Sequence, residues 1–233
     1  MAMTPSRRSG ARPRTTEEVA ALPPCPDVVL MARTRGISEI VHFTTTRGAV
    51  GILYSSAIKS RALLHPDLYL EHVYRPNAID RSRDAEWHGY VNLSISRIND
   101  WMFRKSESWH VTEEVSWVLF VFSPEILGDP GVVFTTTNNA YPNCDRTEGL
   151  AGFSDMFADR VKWGYFDTID TRRGLPEHYP TQRQAEVLYP AELPLDYLMR
   201  IDVQVEEGLD HVHGALGALD LDYDVRLAPE VFR

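Results

Sequence analysis

The sequence VSWVLFVFSP, residues 115–124, is the stretch that decides the fold. Val115–Ser123 is almost continuously apolar, and an apolar run of this length without alternation is typical of a strand that is covered on both faces. Pro124 has no backbone N–H to donate, so it ends the run in a turn. We therefore expect Val115–Ser123 to form the central strand of a sheet.

Shorter strand patterns lie on both sides of this central strand. Tyr90–Ile95 alternates between two faces, with apolar side chains on one of them. Ile40–Phe43 is apolar and precedes Thr44–Thr46, whose hydroxyls suit a helix N-cap; Val50 to Ala57 then follow helical spacing. Many short strands with few helices predict an α+β domain with a split or folded β-core. Further strands are expected at Val132–Thr135, Ala185–Tyr189 and Tyr197–Val205.

Other long stretches lack a clear pattern. Residues 65–86 predict a surface loop, and residues 136–184 predict an irregular stretch with short helical fragments around Phe153–Phe157. Residues 206–233 are acidic and weakly patterned. Residues 1–36 mix Arg, Pro, Thr and Ala without apolar periodicity, which predicts a disordered arm. We therefore expect one ordered domain over residues 37–233.

The composition limits the kinds of protein that the chain can be. With 233 residues and 43% apolar content, it can bury one sizeable core. No apolar run has the length of a membrane span, and the first residues lack the apolar segment of a secretory signal. Cys25 and Cys144 show neither metal-binding nor disulfide spacing. A cytoplasmic protein with no membrane partner is the simplest interpretation.

The charge is distributed unevenly along the chain. The formal net charge is −9, yet residues 1–36 contain six arginines against three acidic residues. This arm therefore has a net charge of +3, which leaves −12 for the rest of the chain. Attraction to the phosphates of a duplex needs many clustered cations, so the composition argues against a groove-reading regulator. We expect any nucleic-acid site to be local and short.

Three polar features stand where the predicted strands begin or end. The tripeptide His-Phe-Thr at 42–44 closes the first strand, and Arg97 follows the strand Tyr90–Ile95. The tripeptide Gln-Ala-Glu at 184–186 opens a later strand. Strand ends on a rigid scaffold are common positions for functional side chains. We expect the three features to converge on one site.

In this order, the three features resemble the DarT family of DNA ADP-ribosyltransferases. The similarity extends in patches from Ile40 to Val205 and includes Phe-Thr-Thr-Thr-Asn-Asn-Ala at 134–140, which is similar to the start of the family's substrate-binding loop. The resemblance implies an α+β, ADP-ribosyltransferase-like split β-core with flanking helices and a long substrate-binding loop. It also implies that NAD⁺ is the co-substrate, that NAD⁺ binds between two small sheets, and that no metal is needed.

The resemblance further implies a role for individual side chains. It assigns NAD⁺ binding to His42, Thr44 and Arg97, catalysis to Glu186 and Arg97, and contact with the substrate base to Gln184 and Asn139. The expected chemistry needs these residue types, because cleavage of the nicotinamide glycosidic bond builds oxocarbenium charge on the ribose. A carboxylate can stabilise that charge and accept a proton from the attacking base nitrogen. A guanidinium suits a pyrophosphate, and an imidazole suits ribose hydroxyls.

The target base is left open between guanine and thymine. Asn92–Ser96 differs from the aromatic and Pro-rich segment of thymidine-modifying members and resembles the branch linked to guanosine modification, which slightly favours guanine. Trp101 and Trp109, beside Arg104 and Lys105, are candidates for nucleic-acid contact. The long loop would present the substrate with its cations Arg160, Lys162, Arg172, Arg173 and Arg183.

Histidines offer one alternative site. His211 and His213 could bind a metal ion from one face of a strand. They lie in a Gly- and Asp-rich segment without a nearby third ligand, however, so structural or solvated histidines are the favoured interpretation.

We expect a mono-ADP-ribosyltransferase that uses NAD⁺ to modify a nucleobase in single-stranded DNA, because the pairing nitrogens of a base are unavailable in a duplex. The resemblance implies a toxin of a toxin–antitoxin pair, with an ADP-ribosylhydrolase-type antitoxin as partner. Two alternatives are kept. The acceptor is RNA or a protein, or the chain is a non-catalytic binding module of a defence system.

Overall fold

The computed structural model describes residues 10–64, 82–110, 115–164, 166 and 168–233. The predicted surface loop over residues 65–86 lies mostly outside the described residues. Its last part forms a short 3-10 helix at Ser82–Trp87.

The described strands form one large sheet and two small pairs. The large sheet contains β1 (Ile40–Thr45), β3 (Tyr90–Ile95), β4 (Trp117–Phe122), β5 (Val133–Thr135), β6 (Arg146–Glu148), β9 (Val187–Pro190), β11 (Leu198–Val203) and β12 (Val225–Leu227). Their order across the sheet is β12-β11-β4-β1-β3-β9-β5-β6. The small pairs join β2 (Ala57–Lys59) to β10 (Glu192–Pro194), and β7 (Arg160–Trp163) to β8 (Thr168–Thr171).

Strand β4 is the central strand that the apolar run predicts. Every residue of β4 is buried, because β1 and β11 pair with its two edges and side chains cover both of its faces. Phe120 and Phe122 belong to the larger core cluster, and Leu119 and Val121 belong to a smaller one on the other face. The predicted α+β fold with a split β-core is confirmed.

The large sheet separates into two halves between β1 and β3. These strands pair at Ile40 with Ile95 and at Val41 with Ser94, after which β1 continues alongside β4. At the separation, the Nδ1 atom of His42 lies 3.0 Å from the carbonyl oxygen of Asn92 in β3. A side chain therefore makes the contact that a backbone ladder bond would make in a continuous sheet. The opening positions the predicted site between the two halves.

Helix α3 (Thr46–Ser55) follows β1, as predicted, with a threonine N-cap. Its buried face matches the predicted one only in part. Leu53 is buried as predicted, together with Ala49, whereas Val50 and Tyr54 are exposed. The apolar residues of α3 fit two adjacent faces of one helix. The spacing of these residues alone does not decide which face packs on the sheet.

Helix α6 (Glu206–Leu219) lies in the acidic segment for which the sequence showed little pattern. Val212 and Leu216 of α6 are buried in the larger core. Glycines dilute the apolar periodicity. Gly208 lies where the helix approaches β11, and a Cβ atom there would make a tight contact of 3.2 Å with the Cβ of Val203. Among the described helices, including α6, none has the length and apolar character of a membrane span.

The stretch 136–184 is more regular than we predicted. It contains β6, helix α5 (Gly149–Asp155) and the β7–β8 hairpin. Helix α5 confirms the helical fragment expected here, and Phe153 and Met156 are buried in the larger core. The prediction that the rest of the stretch is irregular is wrong where β6, β7 and β8 form. The strands have three or four residues each, which is too short for alternation to be recognised in the sequence.

The prediction of a disordered arm over residues 1–36 is wrong for its described part, residues 10–36. This part contains helices α1 (Thr16–Ala20) and α2 (Pro26–Thr34). Val28 and Ala32 of α2 are fully buried in the larger core. Tertiary packing of these two residues orders a segment whose composition alone suggests disorder. Residues 1–9 lie outside the described residues.

Candidate active site

His42 lies where β1 and β3 separate, and its side chain is partly buried. Because the carbonyl oxygen of Asn92 can only accept, the Nδ1 atom of His42 donates to it over 3.0 Å. Desolvation lowers the pKa of His42 below its ordinary 6.5, against a smaller opposing effect of the Asn92 hydrogen bond. The imidazole is therefore neutral at pH 7, and its Nε2 atom is left as a hydrogen-bond acceptor.

Thr44 lies two residues after His42 and thus on the same face of β1. Its side chain is buried and lies against Gly48 in the first turn of α3, where a Cβ atom would come within 2.3 Å of the Thr44 Oγ1 atom. Any side chain at position 48 would displace Thr44. The glycine therefore preserves the local arrangement of the second predicted NAD⁺-binding residue.

Glu186 stands immediately before β9, and only 8% of its surface is exposed. Its carboxylate accepts a hydrogen bond of 2.8 Å from the backbone N–H of Asn139 and one of 3.4 Å from the side-chain amide of Asn138. The backbone of Glu186 is also fixed, because its N–H donates to the Thr135 hydroxyl and its carbonyl accepts from the Thr135 backbone N–H, each over 2.9 Å. The loop after β5 thus determines where the carboxylate points.

Arg146 of β6 holds that loop in place. Its Nε atom donates to the side-chain oxygen of Asn139 over 2.6 Å, and its Nη1 atom donates to the carbonyl of Cys144 over 2.9 Å. Its Nη2 atom donates to the backbone carbonyl of Asn139. A chain of hydrogen bonds therefore connects Arg146 through Asn139 to the Glu186 carboxylate. No pattern in the sequence singled out Arg146.

Cys144, in the same loop, is buried with its thiol near the Thr137 carbonyl. Burial raises the pKa of the Cys144 thiol to about 11. The thiol is therefore protonated at neutral pH and is not a nucleophile.

Gln184 has 1% of its surface exposed, and its backbone N–H donates to the Gln182 side chain over 2.5 Å. The Gln182 side-chain oxygen also accepts from the Thr137 hydroxyl, which joins the segment before β9 to the loop after β5. The Gln184 side-chain oxygen is buried and has no hydrogen-bond partner within the described residues. The side-chain nitrogen of Asn139 shares that property. Both predicted substrate-binding residues therefore retain hydrogen-bonding capacity.

Arg97 follows β3 after Ser96, whose φ of 61° turns the chain away from the sheet. The Arg97 guanidinium stacks on the ring of Tyr179, with 4.2 Å between its Cζ atom and the ring centroid. Desolvation lowers the pKa of Arg97 below its ordinary value, and the guanidinium stays charged at neutral pH. Arg97 lines an open cavity of about 390 Å³ together with Ile169, Asp170, Thr171, Leu175, Thr181 and Arg183.

The sheet register relates the predicted site residues to one another. Val41 pairs with Ser94 and Val187 pairs with Leu93, so the residues next to them, His42 and Glu186, flank the same part of β3 on its two sides. Arg97 follows the end of that strand and lies in the cavity described above, which neither His42 nor Glu186 lines. The register thus places His42 and Glu186 on either side of β3, next to neighbouring residues of that strand, and Arg97 follows the strand's end.

The histidine alternative does not fit the structure. His211 and His213 lie on α6, where residues two positions apart point away from each other. No group of three or more His, Cys, Asp or Glu side chains suited to a metal ion occurs within the described residues.

Comparison with solved structures finds the same fold in proteins of low sequence identity. DarT from Thermus sp. 2.9 in complex with carba-NAD⁺ is 16% identical, with a TM-score of 0.59 over 84% of this chain and 98% of that one. The same protein in complex with ADP-ribosylated single-stranded DNA is 15% identical, with a TM-score of 0.61 over 85% of this chain and 97% of that one. DarTG from Thermosipho africanus in complex with ADP-ribose is 12% identical, with a TM-score of 0.53 over 84% of this chain and 51% of that one.

A search of curated proteins found no match. A family model does match, and its description is that of single-stranded DNA thymidine ADP-ribosyltransferases. This description favours thymine as the target base. It does not favour guanine, which the segment Asn92–Ser96 suggested. The match covers residues 41–233, which is most of the chain, and the protein therefore belongs to the DarT family.

Proposed function

We propose that Glu186 is the catalytic carboxylate with which this NAD⁺-dependent ADP-ribosyltransferase modifies thymine in single-stranded DNA. The observation that supports this role is the pairing register, which brings His42 and Glu186 to the two sides of one part of β3. The Glu186 carboxylate is held by two amide groups, so its orientation is set before substrates bind. A carboxylate held in one orientation suits a reaction in which positive charge develops on a ribose.

The proposed reaction joins the ring nitrogen of the base to the ribose carbon of NAD⁺. The bond between nicotinamide and C1′ of the ribose breaks, and nicotinamide leaves as a neutral molecule with the bonding electron pair. In thymine, N1 is bonded to deoxyribose, so N3 is the nitrogen that attacks C1′. The N3 proton passes to the Glu186 carboxylate, which also stabilises the oxocarbenium charge through a ribose hydroxyl.

His42, Thr44 and Arg97 are proposed to bind NAD⁺. The free Nε2 atom of neutral His42 can accept a hydrogen bond from a ribose hydroxyl, since Nδ1 is occupied by Asn92. Arg97 offers a permanent charge for the pyrophosphate or for the departing nicotinamide, and its stacking on Tyr179 keeps the guanidinium in one orientation. Catalysis by Arg97 requires that its guanidinium reach the reacting ribose from the neighbouring cavity.

Gln184 and Asn139 are proposed to contact the acceptor base. The Gln184 side-chain oxygen and the Asn139 side-chain nitrogen are buried without partners in the described part of the chain, and a thymine edge offers both a donor and acceptors. Asn139 also orients Glu186 through its backbone N–H. Contact with N3 requires an unpaired base, which accounts for a single-stranded substrate.

Labelled NAD⁺ incubated with separate pools of DNA, RNA and protein tests the acceptor. We expect label on single-stranded DNA and little on a duplex of the same sequence. Mass analysis of a modified oligonucleotide then identifies the base and its neighbours. Label on RNA or protein would support the alternative acceptors, and label on none of the pools would support the non-catalytic binding module.

We further propose that the chain is the toxin of a toxin–antitoxin pair whose antitoxin removes ADP-ribose. The support is that this chain matches 51% of a Thermosipho africanus chain named DarTG, whose structure contains ADP-ribose. Expression in a bacterial host is expected to stop DNA replication, and co-expression of an ADP-ribosylhydrolase is expected to restore it. Growth that is unaffected by the active protein would contradict the toxin role.

A further inference from the structure

The exposed face of helix α4 (Asp100–Trp109) combines an aromatic ring with positive charge. Four residues form this face, which we call the α4 strip: Trp101, Arg104, Lys105 and Ser108. They lie at i, i+3, i+4 and i+7 on one side of the helix, opposite the buried Phe103 and Ser106. Trp101 is 50% exposed, which is unusual for the largest apolar side chain.

The cations of the α4 strip are available for an external partner. Arg104 makes no ion pair with any carboxylate within the described residues, and Lys105 contacts the ring of Trp109 with its Nζ atom 5.6 Å from the centroid. The whole chain has a formal net charge of −9, and in this acidic chain the α4 strip presents two cations beside an exposed aromatic ring, while the neighbouring Asp100 is paired with Arg183. A polyanion with apolar surface fits this combination, and a single-stranded nucleic acid has both properties.

The α4 strip begins next to the acceptor side of the active site. Asp100, the first residue of α4, forms an ion pair of 3.1 Å with Arg183. Arg183 lines the cavity that contains Arg97, and it precedes Glu186 by three residues along the chain. A strand whose modified base reaches Glu186 would therefore continue past Arg183 and over Trp101.

We propose that the α4 strip binds the nucleotides beside the modified thymine, with a neighbouring base stacked on Trp101 and phosphates bound by Arg104 and Lys105. This inference rests on the proposed function of the site, because it extends the path of the same strand. The distance from Trp101 to Ser108 along the helix is about 10 Å, which accommodates only a short run of nucleotides. The strip thus contributes affinity beyond the modified base without a large basic surface.

Binding of single-stranded DNA in the absence of NAD⁺ tests the α4 strip separately from catalysis. We expect Trp101→Ala to weaken binding of a labelled strand of about ten nucleotides by about tenfold or more, since stacking of one base on an aromatic ring has an effect of this size. We expect Arg104→Gln with Lys105→Gln to reduce the slope of log Kd against log salt by about 1.4, because each phosphate contact in a single strand contributes about 0.7.

Matched variants away from the strip control for changes in the fold. Tyr54→Ala removes a 77% exposed aromatic ring from α3, and Arg226→Gln removes a cation from the far edge of the sheet. Neither is expected to change Kd or the salt slope. NAD⁺ hydrolysis without DNA and the melting temperature are expected to be the same in Trp101→Ala as in the unaltered protein.

A scan with single abasic positions locates the stacked nucleotide. One abasic position is expected to weaken binding to the unaltered protein about tenfold and to have little further effect on Trp101→Ala, because both changes remove the same contact. Equal affinity of Trp101→Ala and the unaltered protein, or additive effects at every position, would overturn the inference. If the unaltered protein transfers no ADP-ribose but Trp101→Ala still weakens DNA binding, the inference about the α4 strip holds and the proposed function is contradicted.

Discussion

The two sides of the proposed active site are held together in different ways. His42 and Thr44 belong to β1, which is paired along its whole length with β4, so a continuous ladder of backbone hydrogen bonds sets their positions. Glu186 precedes its strand, and its carboxylate depends on Asn138, Asn139 and the more distant Arg146. The proposed NAD⁺ side therefore depends mainly on backbone pairing, whereas the proposed acceptor side depends on a few specific hydrogen bonds.

This difference indicates where changes remote from the chemistry will matter. A substitution of His42 or Thr44 that leaves the β1–β4 ladder intact is expected to act on NAD⁺ binding alone. A substitution in the loop from Thr135 to Arg146 is expected to act on the chemical step, because it changes the orientation of the Glu186 carboxylate. Four measurements test this comparison, from the largest expected effect to the smallest.

Glu186→Gln is expected to reduce ADP-ribose transfer by about 10²–10⁴-fold, because the amide cannot accept the thymine proton. The side chain keeps its size, so the melting temperature should change little. Transfer is measured with labelled NAD⁺ and single-stranded DNA. The matched control is Glu192→Gln on β10, where the side chain is exposed. Transfer retained by Glu186→Gln would remove Glu186 from the mechanism.

Arg146→Ala is expected to lower kcat by about 10²-fold, because a displacement of the carboxylate by about 1 Å has an effect of this size. The KM for NAD⁺ is expected to stay nearly constant, since His42 and Thr44 lie in a different half of the sheet. Arg146→Lys should restore part of kcat through one of the lost hydrogen bonds. If KM rises while kcat is unchanged, the two sides of the site are not independent as described.

His42 provides a test by pH. Its pKa is lowered below 6.5 by desolvation, so protonation is disfavoured in the folded state. The stability that this provides is present above the ordinary pKa and is lost as the pH falls through the lowered one. Nuclear magnetic resonance titration should give a His42 pKa below 6.5. The melting temperature of His42→Asn should therefore fall less on acidification than that of the unaltered protein, because this variant has no imidazole to protonate. A measured pKa above 6.5 would contradict the buried, neutral imidazole.

The smallest effect is expected at the N-terminal segment. Arg14 forms a two-bond ion pair with Glu148 at 2.8 and 3.1 Å, and both side chains are about three-quarters covered. Arg14→Ala should lower the melting temperature by about 2–4 °C, which corresponds to about 1 kcal/mol in a chain of this size. Arg12→Ala is the matched control, because the Arg12–Glu18 pair is solvent-exposed and such pairs contribute little. Equal decreases in the melting temperature of the two variants would show that burial of the Arg14–Glu148 pair adds no stability.

The sequence predicted the elements whose signal is local. The apolar run around Phe120 and the alternation of Tyr90–Ile95 each identify a strand without reference to the rest of the chain. The ends of strands then indicated His42 and Glu186. These features depend on side chains that are adjacent in the sequence, so one segment contains all the necessary information.

The sequence did not predict features that depend on distant partners. Arg146 has its role because Asn139 and Glu186 approach it in the folded chain, and nothing near residue 146 indicates this. Helix α2 is ordered because Val28 and Ala32 enter a core formed by residues far along the chain. Gly208 permits a close approach between α6 and β11, and that same glycine weakens the helical pattern. Tertiary contacts decide all three.

The N-terminal segment has a consequence for how the protein should be produced. The family match begins at residue 41, but the backbone N–H of Ala11 donates to the Arg146 carbonyl on β6, the last strand of the large sheet. A truncated protein that begins at residue 41 would leave that edge unpaired and would remove Val28 and Ala32 from the core. Uncovered strand edges promote association between copies. Expression of residues 41–233 alone should therefore yield an aggregation-prone product. Residues 10–40 should be retained.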